Sequence, residues 1–392
     1  MAANQSLTAR IFSGIWNVLN IARKVFFNFI FLVIAGFIII GIASSGKDEI
    51  KVPKGGALVM KLNGDIVIQK QSVDPFDEFA SEAFGGNNGP SEILVRDILK
   101  VLSNAKQDRR IEALVLDLSG LRSAGLDKLR TIANALEDFK TSEKPIIAIG
   151  DYFTQNQYYL AAHADKIYLN PEGAVLFDGF ARNRMYYKDA LEKLKVKTHI
   201  FKVGTYKSAI EPYIRNDMSD AAREANTAWL GAYWDQFKND VAAARGIEVS
   251  NFDESAEDFM AKFTAANGDF AEYALANGWV DELKTREAWR QEMFDLVGKN
   301  ESGKSYKGIT FNNYLKIVNP PIPQKTSGPT VGIVVAKGTI LDGNKPNGTI
   351  GGDSTARLLR KARLDDDIKA VVLHVDSPGG SAFASEIIRQ EV

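Results

Sequence analysis

The 392-residue sequence contains no cysteine. That absence excludes a thiol nucleophile, a disulfide framework and any zinc–thiolate site. Histidine is nearly as scarce. His163, His199 and His374 are the only ones and lie far apart, so no metal centre built from imidazoles is expected. Neither sign of charge prevails, since 48 Lys and Arg against 49 Asp and Glu leave a formal net charge of −1. The balance offers no electrostatic case for nucleic acid or for anionic substrates, and no cofactor is expected. With 45% hydrophobic residues the chain can bury a large core, and its length suggests two domains or more.

What is present begins with Val25–Ala43, VFFNFIFLVIAGFIIIGIA, in which Asn28 is the only strongly polar side chain. A run of that length can cross a bilayer. Arg10, Arg23 and Lys24 precede it, so the positive-inside rule predicts a cytoplasmic N-terminus and export of everything after about residue 46. The run is longer than the apolar part of a usual cleaved signal peptide, which favours an uncleaved anchor.

An internal repeat organises the rest. Ile111–Leu118 (IEALVLDL) matches Ile368–Val375 (IKAVVLHV) at an offset of 257 residues. Val101, Leu102, Ala105 and Asp108 match Leu358, Leu359, Ala362 and Asp365 at the same offset, and Leu62–Ile66 (LNGDI) answers Ala336–Ile340 (AKGTI). Two copies of one strand–helix–strand unit therefore lie towards the two ends of the chain, the second with fewer elements.

In the first copy, Leu58–Leu62, Ala113–Leu118 and Ile146–Ile149 read as strands and Asp127–Phe139 as a helix. Ser91 offers an N-cap to a helix whose apolar side holds Ile93, Leu94, Ile98, Leu99 and Leu102. Asp74–Pro90, with its glycines and asparagines, reads as an exposed loop. Met185–Leu194 and Ala221–Ala244 read as helices and Thr198–Val203 as a strand. Trp229, Tyr233 and Phe237 form an aromatic stripe expected in the core or at a subunit interface. Gly278 reads as a helix stop before a short strand. Asn319–Gly328, NPPIPQKTSG, is the clearest linker. The alternation of strands and helices predicts an α/β fold with largely parallel strands. The expected divisions are an anchor over residues 1–46, a first repeat with a helical extension over 47–318, the linker at 319–328, and a second, incomplete repeat over 329–392.

Two stretches carry potential chemistry. Val371–Val375 reads as a buried strand closed by Asp376-Ser-Pro-Gly-Gly380, with Ser381 capping a helix from Ala382 to Val392. Paired glycines between a strand and a helix N-terminus can aim backbone N–H groups at an anion, as an oxyanion hole requires; a plain structural joint fits the same residues. Only the second copy has this turn, the first having Ser119-Gly-Leu-Arg122. Between Thr198–Val203 and the next helix lies Gly204-Thr-Tyr-Lys-Ser-Ala-Ile-Glu-Pro212, where Lys207 sits among Tyr206, Ala209 and Ile210. A lysine kept from water can act as general base to a serine hydroxyl; an ordinary surface lysine fits the same local sequence.

Together these residues resemble one family, the long two-repeat form of bacterial signal peptide peptidase A, also called protease IV. The resemblance covers essentially the whole chain: the N-terminal anchor, Tyr152–Ala161 (YFTQNQYYLA), Tyr168–Gly173 (YLNPEG), Lys202–Ser219 (KVGTYKSAIEPYIRNDMS) and Leu373–Glu386 (LHVDSPGGSAFASE). It implies crotonase- and Clp-protease-like repeated units behind a transmembrane helix, in a serine protease with a Ser/Lys dyad. By the match, Lys207 is the general base and Gly379 and Gly380 help form the oxyanion hole. The implied substrates are signal peptides and other short hydrophobic peptides. The implied setting is the bacterial inner membrane, in contact with its lipid, with the bulk on the periplasmic side and a dome-like homotetramer as the assembly.

The sequence departs from the family at the nucleophile. The family's serine follows a Lys-Pro strand and a glycine-rich turn; in the first repeat that turn is Gly150–Asn156, so Asn156 stands roughly where the serine would be. The repeat offset places the missing serine about twenty residues beyond Val392. Ser208, Ser377 and Ser381 are not expected to take its place, and the chain reads as truncated and inactive by itself. The other classes compatible with the paired-glycine turn are a crotonase-like acyl-CoA enzyme and a non-catalytic membrane-anchored scaffold.

Overall fold

The computed structural model describes residues 7–44, 50–72, 91–320 and 328–392. It divides into two compact units, Met1–Lys51 and Val52–Val392. The first is one helix, α1 (Leu7–Ser44), which contains the apolar Val25–Ala43 run. Within it Gly14–Phe37 is long and apolar enough to cross a membrane, 24 residues at about 1.5 Å each against about 30 Å of hydrocarbon.

The second unit opens with β1 (Gly56–Lys61), β2 (Gly64–Val67), β3 (Glu92–Leu94), α2 (Val95–Gln107), β4 (Ile111–Asp117), β5 (Leu121–Ser123), α3 (Leu126–Lys140), β6 (Ile146–Gly150), α4 (Gln155–Ala161) and β7 (Lys166–Leu169). A helical region follows: α5 (Lys188–Lys193), α6 (Glu211–Ile214), α7 (Asp220–Arg245), α8 (Ala256–Ala265) and α9 (Phe270–Ala276). Next come β8 (Glu282–Leu283), α10 (Arg286–Val297), β9 (Gly308–Thr310) and α11 (Phe311–Val318). The chain ends with β10 (Thr330–Lys337), β11 (Ile340–Leu341), β12 (Ile350–Gly351), α12 (Gly352–Arg363), β13 (Ile368–Asp376) and α13 (Ala382–Glu391).

Every named strand pairing is parallel, and the main sheet runs β8-β7-β6-β4-β1-β9. Central strands of such a sheet are covered on both faces, which is why β4 reads as an almost unbroken apolar run. All three of Ala113, Leu114 and Val115 are fully buried, Leu114 in the cluster that α2 and α3 share and Ala113 and Val115 on the opposite face with Met293 and Val297 of α10. The α/β class and the parallel sheet expected from the sequence are those observed.

The repeat is visible in backbone detail. β1, α2 and β4 follow one another as β10, α12 and β13 do, and in each copy the two strands are paired in parallel. Gly64 and Gly338 follow the first strand of each copy with φ of +108° and +101°, in the left-handed region that favours glycine. A Cβ on Gly64 would lie 1.9 Å from the Ser91 carbonyl oxygen, and one on Gly338 would lie 2.2 Å from that of Gly348.

The copies differ in what covers them. β4 has a neighbour on each side, whereas among the described residues β13 pairs only with β10. Val101 on α2 is fully buried against the first-copy core; its counterpart Leu358 on α12 is 48% exposed. The expectation of a buried Val371–Val375 strand is therefore corrected, since the strand forms but most of its residues are exposed.

Four further expectations are revised. Ser91 caps no helix: its hydroxyl donates to the Asn63 carbonyl at 2.7 Å, residues 92–94 join β2 as a strand, and the helix begins at Val95. Met185–Leu194 narrows to Lys188–Lys193. Thr198–Val203 forms no strand, because no neighbouring strand lies beside it among the described residues. Of the aromatic stripe on α7, Phe237 is core while Trp229 and Tyr233 stay partly exposed. The α7 helix itself runs as expected, capped by Ser219 and ended by Gly246 at φ +65°. Gly278, at φ +71°, follows α9 before β8. The Asp74–Pro90 loop and residues 321–327 of the linker lie outside the described residues.

Candidate active site

The turn between β13 and α13 is built by close backbone approach. Gly380 pairs with Ile340 of β11: the Ile340 amide donates to the Gly379 carbonyl at 3.0 Å and the Ser381 amide to the Ile340 carbonyl at 2.8 Å. A Cβ on Gly380 would sit 2.0 Å from the Ile340 carbonyl oxygen, and Gly379 has a φ of +107°, so neither position admits a side chain without strain. Ser377 pins the turn, its hydroxyl donating to the Gly338 carbonyl at 2.7 Å and accepting the Gly379 amide at 3.1 Å. Ser381 caps α13 by accepting the Ala384 amide at 3.1 Å, and its hydroxyl donates to Asp342 Oδ1 at 2.5 Å.

Of the two glycine amides, that of Gly379 is thus occupied by Ser377. The Gly380 amide has no acceptor among the described residues. An open N–H beside a helix N-terminus is the arrangement that receives a carbonyl oxygen acquiring negative charge.

Lys207 lies in the exposed turn between α5 and α6. Its amide donates weakly to the Gly204 carbonyl at 3.4 Å, and Gly204 turns the chain with φ +104°. The following residues are fixed more firmly: Arg184 donates to the Ser208 carbonyl at 2.7 Å, and Glu211 is buried at the start of α6. Burial alone would raise the Glu211 carboxyl, but bonds from the Ser219 hydroxyl and amide, at 2.5 and 3.3 Å, outweigh it and hold the group below its ordinary value. Lys207 itself is exposed, and no hydrogen bond or ion pair joins it to the Gly379–Gly380 turn.

The first copy has a different arrangement around its corresponding turn. Asn156 is the second residue of α4, after the β6 strand, at a helix start. Beside it Gln157 is buried; its side-chain amide donates to the Leu121 carbonyl of the Ser119–Arg122 turn at 3.0 Å while its oxygen accepts the Thr154 amide at 2.9 Å. That bridge ties turn to helix. Sequence reasoning did not single out Gln157, and its only signal was a glutamine three residues after a threonine.

Residues 138–299 match the model of peptidase family S49. The chain is 39% identical to protease 4 of Salmonella typhi over 98% of its own length and 62% of the relative's. It is 38% identical to protease 4 of Haemophilus influenzae over 96% of its length and 61% of the relative's. It thus spans about three fifths of these relatives. A chloroplastic serine protease SPPA of Arabidopsis thaliana is 23% identical over 87% of the chain and 47% of that protein. Among solved structures, a membrane-bound stomatin-specific protease overlaps 66% of this chain and 94% of its own, at 13% identity and a TM-score of 0.31.

Proposed function

We propose that this chain, a member of peptidase family S49, is the base- and oxyanion-bearing part of a serine endopeptidase that degrades cleaved signal peptides and other short hydrophobic peptides. The observation that carries the reading is the open Gly380 amide in the Gly379–Gly380 turn, held at the start of α13 by Ser377, Ile340 and Ser381.

In the proposed reaction Lys207, unprotonated, removes the proton of a serine hydroxyl as that oxygen bonds to the scissile carbonyl carbon. The carbonyl oxygen takes up the negative charge and accepts the Gly380 N–H; the lysine proton then passes to the leaving amine. A lysine works as a base only where water is kept from it. Lys207 is exposed here, so its apolar wall must come from sequence the longer relatives contain or from a neighbouring subunit of a homotetramer.

No serine of the turn regions is free for the nucleophile's role. Ser377 holds Gly338 and Gly379, Ser381 caps α13, and Ser208 neighbours the base in sequence, where side chains point apart. The chain by itself is therefore expected to hydrolyse nothing. Its setting in this reading is the bacterial inner membrane, spanned once by the Val25–Ala43 run of α1, with the bulk on the periplasmic side because Arg10, Arg23 and Lys24 precede that run and stay in the cytoplasm.

The test is a chimera in which the remaining length of the Salmonella typhi relative follows Val392. It should cleave a signal peptide, and Lys207→Ala should lower hydrolysis by orders of magnitude with folding intact. Lys207→Arg should fail almost equally, since a guanidinium cannot give up its proton. Full activity without Lys207 would remove it from the mechanism. A folded but inactive chimera would favour the non-catalytic scaffold, and binding of a CoA ester would favour the acyl-CoA reading.

A further inference from the structure

The peptide group joining Gly379 to Gly380 decides which way the open amide points. In a planar trans peptide the carbonyl of one residue and the N–H of the next point in opposite directions. The Ile340 amide donates to the Gly379 carbonyl at 3.0 Å, so the Gly380 N–H is turned away from β11. Both flanking residues lack a Cβ, and rotation of a peptide plane meets least steric resistance between two glycines. A half-turn would put a carbonyl where the N–H now is, and a carbonyl repels an oxygen that is acquiring negative charge.

Besides Ile340, what opposes that rotation is Ser377. Its hydroxyl donates to the Gly338 carbonyl at 2.7 Å and accepts the Gly379 amide at 3.1 Å. The Gly338 amide donates in turn to the Asp376 carbonyl at 2.9 Å, so the ends of β10 and β13 are clamped twice just before the glycines. Pro378, its φ fixed by the ring, links this clamp to Gly379. Ser377 therefore fixes the peptide before Gly379 and Ile340 the one after it. The first copy lacks the device: at the repeat offset Gly120 stands in the place of Ser377, and the residues after it pair with β2 as a strand. All these bonds lie within the second copy, between Gly338 and Ser381.

We propose that Ser377 is a positioning residue of the peptidase, locking the Gly379–Gly380 peptide in the orientation that offers the Gly380 N–H to the substrate carbonyl. The proposal rests on the protease reading. It adds that the amide's direction is held by a side chain and is lost without it.

The test uses Ser377→Ala and Ser377→Thr in the chimera and in the chain as it stands. Removing an oxyanion donor outright lowers kcat by about 100- to 1,000-fold, so a donor left free to rotate should cost about tenfold or more. The loss should fall on kcat with KM little changed, because the Gly380 N–H acts on the transition state. Ser377→Thr keeps the hydroxyl and should recover most of the rate. A serine-directed covalent inhibitor should still label the Ala variant, more slowly; complete loss of labelling in a folded variant would make Ser377 the nucleophile and overturn the proposal. So would a parental kcat in the Ala variant, or a loss confined to KM. In the chain as it stands, Ser377→Ala should speed amide exchange at Gly379 and Ile340 by about tenfold while β4 is unchanged. Unchanged exchange at both amides overturns the positioning role whatever the chimera does. A folded parent chimera that cleaves nothing removes the protease reading instead, and the catalytic consequence of Ser377 with it.

Discussion

The Ile340 carbonyl oxygen lies 2.0 Å from where a Cβ on Gly380 would be. That approach couples the glycine turn to β11 through two backbone hydrogen bonds, and it sets the direction of the one amide left open. Gly380→Ala should therefore force the two strands apart at a cost of about 1–3 kcal/mol, as overpacking does. Amide exchange at Ile340 and Ser381 should accelerate while that of β4 stays unchanged. Unaltered protection at those two amides would show that the turn tolerates a side chain.

A second expectation concerns Gln157, which joins the Leu121 carbonyl to the Thr154 amide. Gln157→Ala leaves both backbone groups without this partner in a buried setting, so stability should fall by about 1–3 kcal/mol. In the chimera described above, signal-peptide cleavage per folded molecule should be unchanged, because the bridge belongs to the first copy. A loss of cleavage at full stability would mean that the first-copy crevice takes part in the reaction.

Much of this architecture was legible in the sequence. The offset that aligns Val101 with Leu358 is a structural equivalence, and β4, α3, β6, α7 and the Ser381 cap stand where apolar periodicity and capping residues put them. What escaped depends on distant partners. Ser91 looks like a helix cap until Asn63 takes its hydroxyl, and Thr198–Val203 reads as a strand but has no ladder to join among the described residues. Exposure of β13 is equally invisible locally, since its residues resemble those of β4 and the difference lies in the elements that flank each strand among the described residues. For the site, the paired glycines were readable, but the capture of the Gly379 amide by Ser377 was not.

A pH-dependent contribution is expected at Asp108, where hydrogen bonds from Arg110 and Tyr314 hold the carboxyl down to about 2, against burial, from an ordinary 3.8. The folded-state value lies below the unfolded one, so the stabilisation is present above about pH 4 and is lost as pH falls from there towards 2. Asp108 also ties the end of α2 to Tyr314 on α11. In urea unfolding, Asp108→Asn should be less stable than the parent at pH 6 and should approach it at low pH. A constant difference at all pH values would show that the hydrogen-bond geometry, not the charge, matters.

The last prediction follows from the unequal cover of the two copies. β4 is held by β1 and β6 and is covered by α2 and α3 on one face and by α10 on the other, so opening its amides requires disruption of the whole first core. Among the described residues β13 has one hydrogen-bonded neighbour, β10, and its Val371, Val372 and Val375 remain exposed. The free energy needed to open a segment scales with the buried contacts and ladder bonds that must be broken, and fewer of both separate β13 from solvent. Hydrogen exchange on the isolated chain should therefore protect β1 and β4 most, with β10 and β13 exchanging orders of magnitude faster. In the chimera, where further strands can cover the β13 edge, that difference should narrow. Equal protection of β4 and β13 in the isolated chain would mean that something covers the second copy in solution, and self-association through its open edge would then be measured by sedimentation.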